Sequence, residues 1–253
     1  TCTWAVTFDD GESAAASLTG FTLRNTTYGG VLLSGASPVL SQLELDATGS
    51  TSVNGGGVSI DGGAPSFSDC EWDDTTGYYG GAMYITGGAT VILSDCWFES
   101  GWAYYGGAIF VDSGSVELAD STISDNTSYY DGSGVYLGSG SSLATTDSHF
   151  LDNNGTYADG GAVFALGAIV TIDGCTISGK KDLIVNMGGI LAFKDNAQWK
   201  AQAEEMLRVY EGNVTDGGLP SCDLAAIAQG IEEMLDDNYI FSRVEATALL
   251  GEL

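Results

Sequence analysis

The chain has 253 residues, an apolar share of 44% and a formal net charge of −27 from 34 acids and 7 bases. Such a charge repels phosphate backbones and anionic lipid, which sets nucleic acid and membrane surfaces aside as partners. No apolar run reaches the ~18 residues of a spanning helix, so no membrane insertion is expected.

The chain opens on "TCTWAVTFDD", which has neither the basic start nor the apolar middle of a signal peptide. Glycine pairs then recur. Aligned on the second glycine they are Gly30, Gly57, Gly81, Gly107, Gly134 and Gly161, spaced 27, 24, 26, 27 and 27 residues apart, the period of one coil of a β-solenoid. "GAMYI", "GAIFV", "SGVYL" and "GAVFA" follow the glycines and alternate as strands do. That alternation predicts inward columns Met83, Ile109, Val135, Val163 and Ile85, Val111, Leu137, Ala165. Between them runs an outward aromatic row of Tyr84, Phe110, Tyr136 and Phe164. A second strand per coil brings Val91, Val116, Leu143 and Val170 into register, with Leu93, Leu118 and Ile172 two residues on. In the third strand a small residue after an acid or glycine stacks as Cys70, Cys96, Ser121, Ser148 and Cys175. Each precedes by two places one of Trp72, Phe98, Ile123, Phe150 and Ile177. Turns rich in Gly, Asn, Asp and Tyr join the strands.

"GGAMY", "GGAIF" and "GGAVF", with "TISDN" and "HFLDN" as looser partners, resemble the repeats of the polymorphic outer-membrane protein family over residues 29–178. The resemblance implies a right-handed parallel β-helix, a surface-exposed passenger or adhesin at the cell surface or outside the cell, and no need of catalysis or of a cofactor. The acidic turns "DDTTGYYGG" and "DNNGTYADGG" offer oxygen atoms to calcium, but without an ordered ligand spacing solvated turns are the competing reading. Cys70 and Cys96, one coil apart, are within reach of a disulfide or form a column of free thiols. Five cysteines without C-x-x-C spacing, and His149 as the one histidine, give no zinc pattern. His149 is expected to face solvent without a nucleophile. One base in the first 178 residues argues against an enzyme acting on an anionic glycan. The doublets Tyr78-Tyr79, Tyr104-Tyr105 and Tyr129-Tyr130 stack on one another or take a neutral glycan or protein ligand along the aromatic rows. Asn25, Asn126, Asn154 and Asn213 lie in N-x-S/T sequons.

Composition breaks after residue 178: residues 1–178 carry 21 acids and 1 base, residues 179–253 carry 13 acids and 6 bases. The chain therefore reads as a parallel β-helix, 1–178, and a second segment, 179–253. In the second segment "NAQWKAQAEEMLRVYEG", "SCDLAAIAQGIEEMLDDN" and "YIFSRVEATALLGEL" carry helical apolar spacing, so a C-terminal α-helical fragment is expected.

Lys180 and Lys181 open that segment. "DGCTISGKKDLIVNMGGILAFKD", with "RVYEGNVTDGGLPSCDLAAIAQGIEEML" and "YIFSRV", resembles the tyrosine phenol-lyase and tryptophanase family of pyridoxal-phosphate-dependent β-eliminating lyases, from Asp173 to Leu253. The resemblance implies that Lys181 is the lysine that forms the Schiff base with pyridoxal phosphate and that Lys180 lies near the cofactor phosphate. It makes Asn186 a carbonyl ligand of a monovalent cation such as K+. It also implies a carbon-carbon lyase of aromatic amino acids, which is a cytoplasmic activity. The family's phosphate-binding loop, the acid on the pyridine nitrogen and the ring stacked on the cofactor precede that lysine, where this chain has repeats. A chimera with neither activity intact is the remaining alternative.

Overall fold

A computed structural model describes residues 4–156 and 160–178, and the backbone of 189–192. Short strands wind through these residues in successive coils, and each strand pairs in parallel with its counterpart one coil on. Three long walls result. The first runs from Val6–Phe8 through Val31–Ser34, Val58–Asp61, Met83–Thr86, Ile109–Val111 and Val135–Leu137 to Val163–Ala165. A second wall runs from Ser17–Thr19 to Ile169–Asp173, and a third from Thr22–Arg24 to Cys175–Ser178. A short fourth wall of Trp102–Ala103, Thr127–Ser128 and Asn154–Gly155 lies between the third and the first.

The expected columns form in register. Met83 pairs with Ile109, Ile109 with Val135 and Val135 with Val163; Val91, Val116, Leu143 and Val170 line up in the second wall; Trp72, Phe98, Ile123, Phe150 and Ile177 line up in the third. One core fills the bore, with Met83, Ile109, Val135, Trp72, Phe98 and Phe150 all fully buried. In the last parallel coil the inward residues of the first two walls lie more open: Ala165 is exposed and Val170 is 36% exposed.

The glycine alignment needs a correction. Strand register matches Gly30 and Gly57 with Ala82, Ala108, Gly134 and Ala162, each just before its first-wall strand, whereas Gly81, Gly107, Ser133 and Gly161 stand one place earlier. Measured between first-wall partners Val31, Val58, Met83, Ile109, Val135 and Val163, the coils are 27, 25, 26, 26 and 28 residues long. Side-chain columns set the register, and the glycine pair slides by one against them.

Two corners explain much of the acidity. Asp69, Asp95, Asp120 and Asp147 take left-handed backbone, φ 53, 52, 49 and 47, before the third wall; Asp74, Asp125 and Asp152 do the same after it, φ 50, 54 and 57. Aspartate tolerates this region because its short polar side chain bonds locally. Each corner then turns the next side chain inward. At the first corner the thiol or hydroxyl bonds the carbonyl two residues back: Cys70 to Ser68 at 3.3 Å, Cys96 to Ser94 at 3.3 Å, Ser121 to Ala119 at 2.7 Å, Ser148 to Thr146 at 2.8 Å and Cys175 to Asp173 at 3.3 Å.

At the second corner Asn126 is buried. Its Nδ2 donates to Phe98 O and Ser124 O, each at 2.9 Å, and its Oδ1 accepts from Gly101 N at 2.9 Å. Asn153 repeats the arrangement one coil up, donating to Ile123 O at 2.9 Å and accepting from Asn126 N at 3.2 Å. Asn126 is thus a structural bracket, and its sequon offers no accessible amide. Asn126→Ala leaves the carbonyls and the Gly101 amide without their partner, so a loss of about 1–2 kcal/mol is expected in urea unfolding, while Asn154→Ala, on an exposed side chain, leaves the midpoint within error.

Beyond residue 178 the described backbone is a strand, Gly189–Ala192, paired antiparallel with Cys175–Ser178. It occupies the open hydrogen-bonding edge of the third wall, where an unpaired strand would otherwise present bare backbone groups. The expected helices lie outside the described residues. Among the described residues no helix is long and apolar enough to cross a membrane.

Candidate functional site

The most developed surface is the flank where the tyrosine turns meet the first wall. Each doublet sits just before the glycines of its coil, so the coil repeat places doublet above doublet. Tyr78 contacts Tyr104 at 4.9 Å between ring centroids, and Tyr104 contacts Tyr129 at 5.9 Å. Beside them Tyr79 faces Tyr105 at 5.7 Å, and Tyr105 stacks on Tyr130 at 4.9 Å. The first-wall row follows: Tyr84 on Phe110 at 5.8 Å, Phe110 on Tyr136 at 4.5 Å with planes 2° apart, and Tyr136 on Phe164 at 5.1 Å. Tyr79 joins the rows through Phe110 at 4.7 Å, and Trp102 of the fourth wall extends them through Tyr104 at 5.1 Å.

The flank is self-supporting. Although Phe110 points outward as expected, its neighbours bury it, leaving 7% exposed. Stacked rings use their faces on each other and present edges and hydroxyls to solvent. Tyr78 and Tyr130 keep 40% and 41% of their surface exposed. Burial, with Asp131 and Asp112 nearby, holds the Tyr105 and Tyr136 phenols above the usual tyrosine range, and Tyr84 is raised mainly by burial as well. These hydroxyls therefore remain protonated donors throughout the neutral range.

The other candidates separate cleanly. Cys70, Cys96 and Cys175 are buried free thiols, which resolves the disulfide question in favour of the stacked column. The contact with the Cys70 thiol and then burial push the Cys96 thiol far up, so it is no nucleophile. His149 faces solvent as expected, its Nδ1 2.6 Å from Thr176 Oγ1. Among the described residues no three His, Cys, Asp or Glu side chains gather to hold a metal. Lys180, Lys181 and Asn186 lie outside the described residues.

One grouping was not foreseen: outward acids at i and i+2 in the third wall, Glu44 with Asp46, then Glu71 with Asp73, then Glu99 beside Trp97. The signal was present as "LELD", "CEWD" and "CWFES" at coil spacing. Glu71 is the crowded member. Burial, followed by the charges of Glu44, Asp73, Glu99 and Asp46, raises its carboxyl above the ordinary range.

The model of the family described as "Right handed beta helix region" matches residues 8–201 of this chain. The chain belongs to the right-handed β-helix family. The β-helix match runs past the change in composition at residue 178 and takes in the strand that caps the third wall. A segment of this β-helix chain is also similar to lyases: tyrosine phenol-lyase of Symbiobacterium sp. (strain SC-1) is 53% identical over 81 residues, 32% of this chain and 17% of that protein. Tryptophanase of Salinibacter ruber is 48% identical over 80 residues, again 32% of this chain and 17% of the other. The 81 matched residues equal in number the stretch Asp173 to Leu253 that carries the resemblance. The chain thus spans about a sixth, 17%, of the length of the curated relatives it matches. No solved structure is significantly similar to it.

Proposed function

We propose that the protein is a non-enzymatic β-helix of the cell surface or the extracellular space, adhesin-like or passenger-like, which engages a protein or neutral glycan ligand through the tyrosine flank. The observation that carries this reading is the continuous aromatic flank from Trp102 and Tyr78 across to Phe164, held rigid by parallel rungs. Tyrosine surrounded by Ser, Gly and Asn is the composition of binding surfaces that give large contact area at low entropic cost. Rigid rungs meet the ordering cost before the ligand arrives. Because the ladder rings expose edges and hydroxyls more than faces, hydrogen-bonding protein surfaces suit the flank better than sugar rings stacked on it. A panel of host-cell proteins and a glycan array, probed with the purified chain, tests the reading. The triple variant Tyr78→Ala, Tyr104→Ala, Tyr130→Ala is expected to lose at least tenfold in affinity for any hit, since interface tyrosines commonly contribute ~1–2 kcal/mol each. Silence across both panels, or hits indifferent to the three substitutions, would end it.

The second reading is a pyridoxal-phosphate lyase built on Lys181, favoured by the 53% identity of the matched segment. When bound, the cofactor would supply an electron sink for the substrate carbanion. The described residues do not fit it. Their one cationic side chain, Arg24, is held by Glu44 and Asp46 at 3.1 and 2.7 Å, so no described side chain is placed to neutralise a cofactor phosphate. A chimera, a β-helix joined to a segment that matches 17% of a lyase, accounts for both similarities. Mixing the purified chain with pyridoxal phosphate is expected to give no long-wavelength absorbance band. A band present in the parent and absent in Lys181→Ala would favour the lyase.

A further inference from the structure

The outward grid of the third wall breaks a rule of sheet construction. Like charges directly opposite one another on neighbouring strands are destabilising, yet Glu44 lies opposite Glu71, Asp46 opposite Asp73, and Asp73 opposite Glu99. Rungs stand ~4.8 Å apart and alternate residues on one strand ~6.8 Å apart, so all five carboxylates share one small area of wall. A local arrangement that costs stability without a gain inside the fold points to a use outside it.

The lowest rung shows what such a pair holds. Arg24, one coil below, bridges both members of the Glu44–Asp46 pair, its Nη2 3.1 Å from Glu44 and its Nε 2.7 Å from Asp46. In the next coil the position equivalent to Arg24 is occupied by Asp46 itself. Glu71, Asp73 and Glu99 accordingly have no ion-pair partner among the described residues. Directly above Glu71 and two residues from Glu99 stands Trp97, 48% exposed and with no ring neighbour among the described residues. Tryptophan is the strongest cation-π acceptor among side chains, and a guanidinium both stacks on it and forks onto carboxylates.

We propose that Glu71, Asp73, Trp97 and Glu99 form a docking site for an arginine-bearing basic segment of a partner protein. One guanidinium lies over the Trp97 ring and bonds the flanking carboxylates, as Arg24 does one coil lower. The occupant is identified by charge complementarity: three of the five acids on this patch have no ion-pair partner among the described residues, and the chain as a whole carries −27. The site lies on a different wall from the tyrosine flank and stands or falls independently of it.

Titration of the purified chain with a fluorescent hexa-arginine peptide at about 150 mM salt, where long-range attraction is screened, tests the site. Glu71→Gln with Glu99→Gln is expected to weaken binding by roughly tenfold and Trp97→Ala by roughly fivefold. Asp9→Asn with Glu117→Gln removes the same charge from exposed positions elsewhere, and is expected to weaken binding by less than about twofold. Hexa-lysine should bind more weakly than hexa-arginine. Equal losses from the two double variants would show diffuse attraction to an acidic surface and overturn the site, as would an absence of peptide binding or indifference to Trp97→Ala. The triple tyrosine variant should leave hexa-arginine binding unchanged, which separates this test from that of the flank.

Discussion

Trp72→Ala is expected to cost about 3–5 kcal/mol, the range for truncating a large buried aromatic side chain. Trp72 is fully buried, stacked on Phe98 with ring centroids 4.5 Å apart and planes 6° apart, and tilted against Phe67 at 5.7 Å. It therefore joins the second and third walls inside the bore as well as one coil to the next. In a solenoid each coil touches only its neighbours, so a cavity here weakens the interfaces on both sides of its coil. Urea unfolding reads the loss as a lower midpoint, and amide exchange should locate it in the strands next to Glu71–Asp73. Trp72→Phe is the informative companion. It keeps a ring on Phe98 and removes an indole N–H that finds no acceptor among the described residues, so its cost should stay below about 1.5 kcal/mol. A Trp72→Ala cost below about 1 kcal/mol would mean that the bore relaxes around the gap and that this column is not close-packed.

The columns were legible because a parallel coil repeats one side-chain environment at each turn: Met83, Ile109, Val135 and Val163 are alike in shape because they fill the same slot. Aspartate before Cys or Ser was visible as a pattern, but its cause was not. The pattern marks a left-handed corner at Asp69, Asp95, Asp120 and Asp147, so part of the charge that sequence alone presents as a surface property is a backbone requirement. Burial of Phe110 was hidden because alternation gives the direction of a side chain, not what its neighbours do over it. The third-wall acids were missed for a related reason. Their spacing looks like ordinary solvated strand residues until register places Glu71 on Glu44 and Asp73 on Asp46. The lysine pair is the opposite case: it stood out only by resemblance, because two adjacent lysines have no geometry of their own.

Gly81→Val is expected to cost about 3 kcal/mol, and the damage comes from crowding rather than from backbone preference. A Cβ built at Gly81 would stand against the Gly107 carbonyl oxygen of the next coil, 2.9 Å from Trp102 N and 3.0 Å from Thr75 O. All three are backbone atoms fixed by rungs, so none can swing aside as the end of a flexible side chain could. Gly81 N donates to the carbonyls of Gly106 and Gly107, each at 3.1 Å, so moving the coils apart to admit the side chain also breaks the rung. Gly88 supplies the contrast. Its φ of 71 lies in the left-handed region, yet nothing stands within 4 Å of a Cβ built there, so Gly88→Ala should cost only the backbone preference of about 1 kcal/mol. The ratio of the two losses, measured as urea midpoints at unchanged slope, distinguishes contact between coils from dihedral strain. Comparable losses at the two positions would show that the paired glycines serve turn geometry alone. A much larger loss at Gly81 would show that they set how closely one coil can lie on the next, which is the distance on which every stacked column in the bore depends.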